Sequence, residues 1–258
     1  MKSKTKILFA ALLTVSGLAS NAHFQLLLPE KDLIDDISSP ITVNAIFTHP
    51  MEMGPVMEMG NPVQFGVMLN GKKTSLLDRL KPYKINGKSC FKLDYAFKQP
   101  GDYVFYIEPA PYWEPSEEKM IIHYTKVVVD VMEAADGWDA MIGFPVEIEP
   151  LTRPYSLYKN NIFQGIVKKN GKPVPFAEVE IEYYNEGKKY KVPHSIYTTQ
   201  VVKADANGVF SYAMPKAGWW GFAALIDGDK KLKNPQGKEV NVELGALIWV
   251  KAKELIKK

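Results

Sequence analysis

Phe163-Gln-Gly-Ile-Val-Lys-Lys-Asn-Gly-Lys-Pro-Val-Pro-Phe-Ala-Glu-Val-Glu-Ile-Glu-Tyr183 decides the fold. An apolar, β-branched run stops at Asn170-Gly171. That dipeptide favours a two-residue hairpin turn, because both central positions take positive φ. A proline-pinned bend follows, and then Ala177-Glu-Val-Glu-Ile-Glu-Tyr183 alternates strictly. A strand with that alternation puts Ala177, Val179, Ile181 and Tyr183 on a core face and sends Glu178, Glu180 and Glu182 to water.

The same grammar holds on either side. Asn70-Gly71 and Asn86-Gly87 repeat the hairpin signal, and Asp205-Ala-Asn-Gly208 is another turn. Val127-Val-Val-Asp-Val131 reads as a more deeply buried strand. No long stretch has convincing helical periodicity. The expected class is all-β, with two β-sandwich domains. Pro145, Pro150 and Pro154 rule out a central strand between Pro145 and Tyr158, and this places the domain boundary there. The division is a leader over 1–22, an N-terminal sandwich over 23–150 and a C-terminal sandwich over 151–258. The C-terminal part carries Gly165-Ile-Val, Asn170-Gly-Lys-Pro-Val, Ala204-Asp-Ala-Asn-Gly208-Val-Phe and Gly218-Trp-Trp-Gly221. That layout resembles the transthyretin-like or carboxypeptidase-regulatory-like sandwich, which hosts many roles.

Lys2, Lys4 and Lys6 precede an apolar stretch from Ile7 to Leu18, and Ser20-Asn-Ala22 supplies small residues at −3 and −1. This is the pattern of a cleaved export signal. The apolar run falls short of the roughly 18 residues a membrane span needs, and no later run reaches that length. The mature protein is expected to be soluble and periplasmic, with no membrane span of its own. Cleavage removes three of the 32 basic residues and none of the 29 acidic ones, so the net charge falls from +3 to near zero. A neutral balance gives no reason to expect nucleic acid as a partner. Cys90 is the only cysteine. No intramolecular disulfide can form, and stability has to come from the core.

Cleavage after Ala22 makes His23 the mature N-terminus. Its free amine and its ring would then chelate one ion. Cleavage after Ser20 would instead start the chain Asn-Ala-His, an arrangement in which two amide nitrogens also ligate. Nitrogen-rich sets of either kind suit Ni(II) and Cu(II). The plain alternative is that His23 only begins the first strand. His49-Pro-Met-Glu-Met-Gly-Pro-Val-Met-Glu-Met59 follows. Pro50, Gly54 and Pro55 make regular structure there improbable, and a Pro/Gly loop is an odd place for four methionines if packing is their only role. His49, Met51 and Met57 are the candidate ligands in it. In Lys119-Met-Ile-Ile-His-Tyr-Thr125, strand alternation sets Ile121, His123 and Thr125 on one face. His123 is the third candidate histidine. Glu114 is a candidate to orient a histidine, and Tyr112 and Trp113 to wall a pocket. His194 reads as a loop residue. Zinc-finger spacing, His-Glu-x-x-His, Gly-x-Ser-x-Gly, the P-loop and the dinucleotide fingerprint are all missing, so an enzyme is not expected.

Ala22-His-Phe24, Phe47-Thr-His-Pro-Met-Glu-Met-Gly-Pro-Val-Met57, Tyr112-Trp-Glu-Pro115 and Ile121-Ile-His-Tyr-Thr-Lys126 together resemble one family. It is the family of exported nickel-uptake or cobalt/nickel transporter accessory proteins, often filed as a domain of unknown function. The resemblance implies capture of Ni(II) or Co(II) and delivery to a membrane transporter of the energy-coupling-factor type, with His23 as the matching metal position. A copper carrier or copper-resistance protein is the main alternative, favoured by the methionine loop. A histidine-brace copper oxygenase and a metal-free adhesive module rank below both.

Overall fold

The computed structural model describes residues 23–257. The expected leader lies outside them. Among the described residues the regular structure is β throughout, interrupted by three short 3-10 turns, Leu77–Arg79, Glu186–Lys188 and Ser195–Tyr197. No helix among them is long and apolar enough to cross a membrane. The Asn-Gly signals do what their chemistry dictates. Asn70-Gly71, Asn86-Gly87 and Asn170-Gly171 all sit at positive φ in tight turns, between the antiparallel pairs Leu69↔Lys72, Ile85↔Lys88 and Lys169↔Lys172.

The strands form three layers. A front sheet runs Phe24–Pro29, Ile41–Thr48, Lys88–Tyr95, Lys81–Ile85. A long central sheet runs Gln200–Lys203, Glu178–Tyr183, Gly218–Asp227, Val242–Lys253, Lys119–Val131, Gly101–Glu108, Gln64–Leu69, Lys72–Ser75. The back sheet is built on Ile162–Lys169, flanked by Val146–Pro150 on one edge and by Val209–Ala213 and Lys172–Pro173 on the other. Strand alternation divides the two cores. Along Lys119–Val131, Ile121, Val127, Val129 and Val131 join the front core with Phe24, Val43 and Leu93. Met120, Tyr124 and Val128 join the back core with Ile148, Phe163 and Phe210. Sandwich packing therefore occurs on both faces of one sheet. That sheet crosses the whole molecule because Val242–Lys253 pairs in parallel with Lys119–Val131.

Phe24–Pro29 is buried along its entire length. Its side chains pack in the front core against the central sheet, with the Phe24 and Trp249 rings 6.1 Å apart. The contact needs Gly221, where a Cβ would lie 2.8 Å from the Trp249 ring and 3.0 Å from Phe24. The strand is pinned by its own Gln25 carbonyl, which accepts Trp249 Nε1–H at 3.0 Å and the Thr125 hydroxyl at 3.5 Å. Such anchors fix where residue 23 must lie.

Two expectations meet different outcomes. Val146–Pro150 is an edge strand, in keeping with Pro150 in it and Pro145 just before it. The glutamates of the alternating strand do not all face water: Glu182 is 1% exposed and Glu180 is partly buried, while Glu178 is exposed. The face they occupy is the front face of the central sheet. The methionine loop covers it there: Met51 N–H donates to Glu182 Oε2 at 3.1 Å, and Thr199 donates its hydroxyl to Oε1. Burial pushes the Glu182 carboxyl up to about 8 and that of Glu180 to about 7. Trp219 and Trp220 are both buried.

Candidate functional site

Register alone brings the first two histidines together. Phe24 pairs with Thr48 in the antiparallel ladder, so His23 and His49 come next, opposite one another. Their ring centroids are 4.6 Å apart. His49 is buried and His23 is partly exposed. Pro50 and the turn after it end the strand, and the Gly54 N–H closes that turn on the His49 carbonyl at 3.3 Å.

Glu114 arrives from Tyr112–Glu114, a short strand paired with the start of Lys119–Val131. Its Oε2 lies 3.2 Å from His23 Nε2. Its Oε1 is occupied by Ser116, whose backbone N–H donates at 3.0 Å and whose hydroxyl donates as well. The carboxylate is thus fixed in orientation and aimed at one ring nitrogen. Tyr112 packs against His23, with centroids 5.9 Å apart, and Phe47 at 5.6 Å.

His123 lies deeper, 2% exposed, on the face the alternation assigned to it. Phe47 stands edge-on between the layers, 5.7 Å from the His123 ring. Neither ring nitrogen of His123 has a hydrogen-bond partner. Its closest ionic neighbour is Glu243 Oε1, 3.6 Å from Nε2, which is too long for a hydrogen bond. Gly245, on the adjoining strand, makes room for the ring: a Cβ there would fall 2.4 Å from His123 Cδ2.

The electrostatics favour a neutral imidazole at the front. Burial lowers the His23 pKa to about 4, His49 adds to the effect, Glu114 opposes it and His123 adds further. Burial alone would raise Glu243, but His123 and Lys119 override it and hold its carboxyl down at about 2. A neutral imidazole keeps a lone pair to donate, which is the form a metal requires.

The methionines divide differently from the histidines. Met57 is buried in the front core, its N–H bonded to the Phe47 carbonyl at 2.9 Å. Met51 lines a separate pocket with Ile181, Tyr190 and Trp220. Met59 is the methionine that shares a small cavity with His123, and its sulfur faces Gln25 Nε2 at 3.9 Å. His194 is an exposed loop residue that caps the Ser195–Tyr197 turn through Nδ1. Among the described residues no group of three or more His, Cys, Asp or Glu side chains is arranged to hold a metal ion. Sequence reading overlooked Glu243, which lies 120 positions from His123 and has no motif around it. Only the parallel pairing of the two strands reveals it.

A family model described as domain of unknown function DUF4198 matches residues 20–228. The chain belongs to this family. The DUF4198 description names neither a metal nor a transporter. No curated protein matches the chain. Among solved structures, the D0-D1 domain of intimin is 15% identical, with 90% of this chain and 100% of that one covered at a TM-score of 0.26. Trypsin-activated alpha-2-macroglobulin from Escherichia coli is 9% identical, with 89% of this chain and 16% of that one covered at 0.26. The Yersinia pseudotuberculosis adhesin InvE is 13% identical, with 86% and 58% covered at 0.24. Likeness at these scores says nothing about what the DUF4198 chain does.

Proposed function

We propose that the mature protein is a periplasmic carrier that captures Ni(II) or Co(II) and passes it to a membrane transporter of the energy-coupling-factor type. The observation that carries the reading is the His23–His49 pair with Glu114 fixed on His23 Nε2. Cleavage after Ala22 would free the His23 amine, and the amine and Nδ1 would close a chelate on one ion. Nε2 would remain for a carboxylate, and Glu114 occupies that position, as an orienting partner of a ligating histidine does. His49 would add a third nitrogen. Such a site draws on two side chains and one chain terminus, so it needs no cluster of three His, Cys, Asp or Glu. The transporter partner rests on the resemblance of the histidine-bearing motifs to the nickel and cobalt uptake family.

A copper carrier is the second reading, and one observation favours it: Met59 shares a cavity with His123, a soft sulfur beside an imidazole. Met57 in the core and Met51 in a separate pocket weigh against a thioether-rich Cu(I) site. Calorimetric titration with Ni(II), Co(II) and Cu(II), and anaerobically with Cu(I), repeated on His49→Ala and Met59→Ala, tests the choice. Nitrogen capture predicts one ion per chain, a loss of about tenfold or more in affinity in His49→Ala, and little change in Met59→Ala. Tight Cu(I) retention that Met59→Ala abolishes would move the function to copper. Equal binding by all three proteins would remove the site.

A further inference from the structure

A cleft that the metal site does not use opens between the front sheet and the central sheet. Leu28, Asn44, Ile46 and Tyr83 line it from the front sheet, and Tyr184, Trp219 and Lys251 from the central one. Its volume is about 510 Å³. That lies within the range of small-molecule sites, which gather where layers or domains meet. We propose that this cleft binds a neutral oligosaccharide.

The chemistry of the walls selects that class. A pyranose ring has an apolar C–H face and a rim of hydroxyls. Tyr83 and Tyr184 offer aromatic surface for the face, and both carry polar tips as well. Tyr83 donates its hydroxyl to Asn44 Oδ1 at 3.3 Å, which fixes that amide and leaves its NH₂ for a ligand oxygen. Glu30 and Glu186 supply acceptors, and Lys189 and Lys251 supply donors. Two charges of each sign give no net field to recruit an ion. A purely apolar ligand would strip water from those charges with nothing in return. A neutral polyol satisfies both kinds of wall. Lys251 lies over the buried Trp219 ring, 5.0 Å from its centroid.

The test is calorimetric titration of the mature protein with cellohexaose, maltohexaose and chitohexaose, and with a heparin-derived hexasaccharide as the anionic control. Saturable binding of at least one neutral sugar is expected. It should weaken about tenfold or more in Tyr83→Ala and Tyr184→Ala, and Tyr184→Phe should retain it because the ring remains. Circular dichroism checks that each variant is folded, and Asn44→Ala serves as the polar counterpart if an aromatic variant is not. His49→Ala should bind sugar normally, which separates this site from metal capture: either can fail alone. Binding of none of the neutral sugars, binding unchanged by the cleft substitutions, or preference for the anionic sugar would overturn the proposal.

Discussion

Glu182 shows what a single residue costs when a strand lies deeper than its pattern implies. Alternation placed it in water. The structure buries it beneath the methionine loop, and burial raises its carboxyl to about 8. The folded state therefore holds a proton that an unfolded chain releases near pH 4.5. Stability is fully present below that value and is lost as pH rises toward 8. Glu182→Gln keeps an acceptor for Met51 N–H and removes the charge. It should be near neutral at pH 5 and stabilising by about 4 kcal/mol at pH 8.5, read by urea unfolding at both values. A substitution that destabilises equally at both would mean the carboxylate is charged and satisfied. The sequence offered no warning here, because alternation reports which residues share a face and is silent on what covers it.

Elements, by contrast, were largely legible. Hairpin turns, the buried Val127–Val131 run and the side of the sheet His123 faces all followed from turn chemistry and a period of two. Pairings between distant strands did not follow, because hydrogen-bond partners in a sheet leave no local mark. Gly245 is the clearest case: its missing side chain is explained only once His123 is its neighbour in the parallel ladder. Gly245→Ala forces the imidazole or the strand to move and should cost about 1–3 kcal/mol, measured by denaturant unfolding. An unchanged midpoint would show that the ring shifts freely. The buried Lys126–Glu147 pair, at 2.7 Å, was equally invisible. Glu147 also accepts the N–H groups of Ile142, Gly143 and Phe144, and so ties the segment before the Val146–Pro150 strand to the central sheet.

At the scale of the molecule, the central sheet joins the two halves of the chain. Val242–Lys253 lies between Gly218–Asp227 and Lys119–Val131, and Trp249 holds the first strand in place. Segment 23–150 made alone would expose the inner edge of Lys119–Val131 and lose the Trp249 anchor. It should fail to show a cooperative thermal transition, and mixing it with segment 151–258 should restore one. Independent, cooperative melting of both segments would mean that the shared sheet contributes little. The candidate site has the same dependence, since it draws on the front sheet for His23 and His49 and on the central sheet for Glu114 and His123. The histidines were legible as candidates from residue chemistry. Their convergence was not, because it depends on the Phe24↔Thr48 register. The most direct measurement compares the Ni(II) affinity of protein beginning at His23, its terminus verified by mass, with that of protein carrying one extra glycine before His23. Capture by the amine, His23 and His49 predicts one tightly bound ion per chain, with affinity falling by about a hundredfold or more on extension. Equal affinity in the two forms would contradict it.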